Sequence, residues 1–141
     1  MGEWKIPPGL EEWEKVIKAI EYEMVQHGFS DKFKCSLLLA MDEVFANISM
    51  YAYKDKCREV EIKSKYITNA THKVATTTFL DSGVRFNPLE NNNEPNINEK
   101  SALKRKIGGL GIYLIKKQVD EVKYEYVDKF NKLTLIKSEI K

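Results

Sequence analysis

Cysteine, histidine, long apolar runs and surplus charge are all scarce in this chain. Only Cys35 and Cys57 occur among its 141 residues. They lie far apart and have no partnered spacing with histidine, which argues against a disulfide scaffold or a zinc site and for free thiols. No apolar run approaches the roughly 20 residues that cross a bilayer. The opening MGEWKIPPGLEEWEK lacks the basic-then-apolar layout of a secretory leader, and no Ser or Thr follows Met1-Gly2 at myristoylation spacing, so the cytoplasm is the expected location. Lys plus Arg number 23 and Asp plus Glu 21, a net charge of +2. Acids and bases are interspersed, so direct nucleic-acid or membrane binding has no large electrostatic basis. The single dense basic run is Lys104-Arg105-Lys106. Internal repeats and linkers are missing too, which leaves one domain over 1–141.

What is present is an ordinary soluble composition, 43% hydrophobic and 31% charged, with a clear change of period along the chain. From Gly9 to about His27, apolar Leu10, Trp13, Ile17, Ile20 and Met24 fall on one helical face. Pro7 and Pro8 stop that helix extending backwards, and Gly28 offers a left-handed stop. Ser30 or Asp31 then caps a second helix to about Tyr53, with Leu37, Met41, Val44, Ile48 and Tyr51 as its stripe. REVEIKSKYI and KVATTTFL alternate like the strands of an antiparallel hairpin. Pro88 to about Arg105 is Asn-rich and poor in apolar residues, as a functional lid or a disordered segment is. GGLGIYLIKKQ reads as a glycine turn opening a short helix, and EVKYEYV and LTLIKSE as two more strands joined by DKFNK. Paired strands with segregated helices predict an α+β fold, one mostly antiparallel sheet covered on one face by three helices.

Three places carry polar groups where chemistry is plausible. Glu43 and Asn47 stand at i and i+4 beside the apolar stripe of the second helix, either at a surface edge or facing a ligand, ion or partner. Asp81-Ser82-Gly83 follows an apolar strand. A carboxylate there accepts from an amino group while glycine admits a flat ring, although an Asx turn uses the same residues. Gly108-Gly109-Leu110-Gly111 precedes a helix, where uncrowded N–H groups bind anions or simply make a turn. Lys104, Arg105 and Lys106 add positive charge just upstream.

The order and spacing of the three are together specific. LLLAMDEVFANISMYAY resembles the N-box of the GHKL ATPase superfamily, DSGVRFNP its first glycine box and IGGLGIYLIKKQVDEVKYEY its second. The fold this resemblance implies is the Bergerat α/β sandwich. Within the superfamily the chain looks like the anti-sigma-factor serine/threonine kinases of bacterial partner switching, from about Leu10 to Lys137.

The resemblance implies ATP and Mg²⁺ as cofactors and a role for each residue. Asn47 would coordinate Mg²⁺, and Glu43 would be the catalytic base or water-orienting carboxylate. Asp81 would accept from the adenine amino group, with Gly83 beneath the ring. Thr134 would support the adenine or a bridging water. Gly108, Gly109, Leu110 and Gly111 would meet the phosphates, with Lys106 nearby in a lid at about 88–107. Met50, Tyr51, Arg85 and Ile107 depart from the family's usual residues. The implied activity is an ATP-dependent serine/threonine protein kinase that phosphorylates a STAS-domain antagonist and sequesters a sigma factor or similar regulator, as a homodimer. The alternative is a non-catalytic ATP-gated switch. A histidine-kinase catalytic part would need a dimerising helix pair with a phospho-accepting His, which the chain lacks.

Overall fold

The protein is described here by a computed structural model covering residues 1–55, 59–83, 85, 87–90 and 109–141. Its elements in chain order are β1 (Gly2–Ile6), α1 (Leu10–Gln26), α2 (Asp31–Asp55), β2 (Val60–Thr68), β3 (His72–Asp81), a 3₁₀ turn (Pro88–Glu90), α3 (Gly109–Gln118), β4 (Glu121–Val127) and β5 (Phe130–Ile140). Five strands form one sheet in the order β1-β2-β3-β5-β4, every pair antiparallel. Among the described residues three α-helices pack on one face, α1 over the β1 edge, α3 over the β4 edge, and α2 between them. This is the expected α+β sandwich.

β1 is an element the sequence did not lead us to expect. Its alternation, Trp4 and Ile6 inward and Glu3 and Lys5 outward, is only five residues long and is cut off by Pro7 and Pro8. Pairing with β2 sets it in register, with Trp4 opposite Ile62 and Ile6 opposite Val60.

The helix boundaries follow local chemistry. At the end of α1, the Gly28 N–H donates to the Val25 carbonyl and the Phe29 N–H to the Met24 carbonyl, both at 3.0–3.1 Å. Gly28 has φ 74°. That is a Schellman stop, in which a left-handed residue lets the chain turn back on orphan carbonyls. Ser30 caps α2, its hydroxyl accepting from the Phe33 N–H at 3.2 Å.

The α1 stripe is rotated from expectation. Trp13, Val16, Ile20 and Met24 are buried, while Leu10 is 71% exposed. On α2, Leu37, Met41, Val44 and Ile48 are buried as expected, joined by Phe33, Ala40 and Phe45. Tyr51 lies outside the residues whose side chains are described. Trp13 stacks flat on Phe45 with ring centres 4.5 Å apart and tilts against Phe79 at 5.9 Å, which locks both helices to β3.

Candidate functional site

Strand pairing fixes which residues share the helix-covered face. Side chains alternate along each strand, so Phe79, Thr77 and Asp81 of β3 lie on one face with their register partners Leu133, Leu135 and Asn131 of β5. Thr134 is opposite Thr78 and therefore points to the other face, away from the helices. Thr134, expected to support the adenine or a bridging water, is thus on the opposite face of β5 from Asn131. The β5 residue that reaches Asp81 is Asn131.

Asp81 is held from two sides. Its Oδ1 accepts from the Gly83 N–H at 3.0 Å, which is the Asx turn, and from Asn131 Nδ2 at 3.0 Å. The same Nδ2 also lies 3.4 Å from the Gly83 carbonyl oxygen. Asn131 is 7% exposed, and its Oδ1 accepts from the Tyr124 hydroxyl. Gly83 is buried. Just beyond, the Arg85 guanidinium sits 5.3 Å over the Tyr126 ring. The result is a carboxylate whose Oδ1 is held by both the turn and the sheet.

α2 reaches this end of the sheet by its direction. Ser30, just before it, lies against Glu139, and Phe33 lies under Lys137, near the far end of β5. Phe45, three turns on, is level with Phe79 through Trp13. Asn47 is about 3 Å further toward the Asp81 end at a 1.5 Å rise per residue.

The two flanks of α2 differ. Asp42, on the α1 side, accepts from Trp13 Nε1 at 2.8 Å, which gives that carboxylate a structural role. At about 100° per residue, Glu43 and Asn47 fall on the opposite flank of the buried stripe, toward α3. Both are half-buried, and neither has a hydrogen-bond partner among the described residues.

α3 begins at this end as well. Its last carbonyl, on Gln118, accepts from Lys137 Nζ at 2.7 Å, a cation at a helix C-terminus. A tight turn follows, in which the Asp120 N–H donates to the Ile136 carbonyl at 3.0 Å. β4 then runs back to place Tyr126 opposite Asn131. Because α3 runs counter to β4, its first residue, Gly109, starts at the Asp81 end. Gly109, Leu110 and Gly111 form its first turn. Lys106 and Gly108, and 91–107 of the expected lid, lie outside the described residues. Pro88–Glu90 is a 3₁₀ turn whose Leu89 packs on the core.

The end of the sandwich thus gathers the Glu43–Asn47 flank, the oriented Asp81 and the first turn of α3. A carboxylate that only accepts suits an exocyclic amino group, an amide oxygen suits a hard cation, and helix-start N–H groups suit phosphate. Among the described residues no three His, Cys, Asp or Glu cluster as a metal cage. Mg²⁺ carried on phosphates with one or two protein oxygens does not need such a cage. A cavity of about 440 Å³ between Leu89, Lys116, Val119, Asp120, Glu121 and Val122 contains none of the expected site residues.

Asn131 escaped sequence reading because DKFNK looked like a connection, and Tyr124 because it read only as one residue of an alternating strand. Asp128 and Lys129 alone make the turn, so Phe130 and Asn131 are already strand. The alternation Asn131, Leu133, Leu135 was the signal that would have found the first. No helix among the described residues is long and apolar enough to cross a membrane.

Comparison with curated proteins gives no match. A family model described as Histidine kinase-like ATPase domain matches residues 6–137, almost the whole chain. With that match laid over a five-stranded antiparallel sheet backed by helices, the chain belongs to the histidine kinase-like ATPase domain family, within the GHKL superfamily of ATP-binding proteins.

Proposed function

We propose that the chain is an ATP-dependent serine/threonine protein kinase and anti-sigma regulatory factor. It acts in the cytoplasm as a homodimer, phosphorylates a STAS-type antagonist and sequesters a sigma factor or similar regulator. The observation that carries the nucleotide part is the meeting of α2's Glu43–Asn47 flank, Asp81 and the start of α3 at one end of one sheet. The kinase and partner parts rest on the likeness of the three sequence boxes to those of anti-sigma-factor kinases.

Each residue has a distinct task in this reading. Asp81, held by Gly83 and Asn131, accepts from the adenine amino group. Asn47 holds Mg²⁺ through its amide oxygen, and the backbone of Gly109 to Gly111, with Lys106, receives the phosphates. Bound Mg-ATP supplies the transferable phosphoryl group and the metal's charge. Phosphoryl transfer asks the protein mainly for positioning and charge neutralisation. Glu43 orients the acceptor Ser or Thr hydroxyl and takes its proton.

Incubation with γ-labelled ATP and a STAS-domain antagonist tests the proposal. Label on an antagonist serine or threonine, lost in Glu43→Ala, is the expected result. ATP binding with an unlabelled antagonist makes the chain an ATP-gated switch instead.

A further inference from the structure

We infer that Tyr124 is a positioning residue for purine selection, acting through Asn131 on Asp81. This rests on the nucleotide-binding reading above and deepens it.

Tyr124 lies on β4, one strand further from Asp81 than Asn131, and its ring packs against the core. Its hydroxyl donates to Asn131 Oδ1, and Asn131 Nδ2 donates to Asp81 Oδ1. An amide offers an acceptor on one side and donors on the other. An ionised carboxylate only accepts, so the amide must turn its nitrogen to Asp81, and Oδ1 then faces Tyr124. Every donor in the chain points the same way, from phenol to amide to carboxylate, and the Gly83 N–H converges on the same oxygen. Hydrogen bonds aligned in series polarise one another and fix each group's torsion. The plane of the Asp81 carboxylate is therefore set before any base arrives, and a preorganised acceptor loses less on binding.

Without the Tyr124 hydroxyl, Asn131 keeps its contacts to Asp81 and Gly83 but loses the donor that orients its amide oxygen. The penalty falls only on a ligand that uses the carboxylate. ATP has a 6-amino group to donate. Purine riboside triphosphate has hydrogen there and no donor, yet offers the same phosphates and ring.

Titration calorimetry of the full chain with the magnesium complexes of both nucleotides tests the inference. For wild type, ATP should bind more tightly than purine riboside triphosphate. Tyr124→Phe should weaken ATP about three- to tenfold, the scale of one net hydrogen bond, and leave the analogue's affinity unchanged. Asn131→Leu, which removes the whole relay, should narrow the ratio at least as much. A general packing defect would weaken both nucleotides alike. A wild-type ratio in either variant, or equal weakening of both ligands, overturns the inference while leaving nucleotide binding intact. A wild-type chain that binds neither nucleotide overturns the nucleotide reading itself, and this inference with it.

Discussion

A carboxylate at a strand end can be a turn-former or a reader of bases, and in Asp81 the turn-forming part is visible. Oδ1 serves the turn and the sheet. If the carboxylate reads adenine, Asp81→Asn should weaken ATP binding by roughly 1.5–3 kcal/mol, the scale of a charge-assisted hydrogen bond. Calorimetry with ATP and GTP checks this, and unchanged affinity for both contradicts it. Glu43 and Asn47 share one helix flank yet should fail differently. Asn47→Ala should remove most Mg-dependent ATP affinity. Glu43→Ala should leave binding intact and stop label transfer to the antagonist. If both variants bind and transfer as wild type does, that flank has no part in the site.

At the scale of elements, the β4–β5 hairpin shows how much the sequence displays and where it stops. EVKYEYV alternates cleanly and is a strand over the residues expected. The connection is tighter than its polar residues suggest. Asp128 at φ 52° and Lys129 at φ 69° make a two-residue turn with both residues left-handed. Such turns match the twist of the flanking strands and usually announce themselves with glycine. Here lysine occupies the strained position, so the signal was missing and Asn131 was counted as loop. Box resemblance carries no strand parity, so the face that Thr134 occupies was legible only from the register of β3 and β5. Lys129→Gly should relieve the left-handed strain by more than glycine's extra unfolded-state entropy takes back. The expected net gain is about 0.5–1 kcal/mol in a denaturant melt, and destabilisation contradicts it. The helices were more legible, because Gly28, Ser30 and the Leu37–Ile48 spacing each have a local physical cause. β1 was not legible, because five residues before two prolines form a strand only by adding to an existing edge.

At the scale of the whole molecule, the two ends of the sandwich are built for different purposes. The end away from Asp81 is stapled by Glu23 of α1, which accepts from the Ser64 hydroxyl at 2.6 Å and the Tyr66 hydroxyl at 2.8 Å. Burial, then the hydrogen bond and charge of Glu23, push the Tyr66 phenol well above its ordinary range. A raised folded-state value favours the protonated form, so this contribution is complete below the unfolded phenol's value of about 10 and is lost as pH rises above it. Denaturant melts at pH 9 and 11 should show a larger loss of stability in wild type than in Tyr66→Phe, and equal losses contradict the assignment. The Asp81 end instead holds half-buried polar side chains from two separate elements, Glu43 and Asn47 of α2 and Asp81 of β3, an arrangement that packing alone does not call for.

The most direct test of the account is the thermal stability of the wild-type chain with and without millimolar Mg-ATP. A ligand that binds only the folded state raises the melting temperature in proportion to its saturation. The account predicts a clear rise with Mg-ATP, reduced in Asp81→Asn and nearly abolished in Asn47→Ala. A melting temperature unmoved by Mg-ATP in the wild-type chain would contradict it.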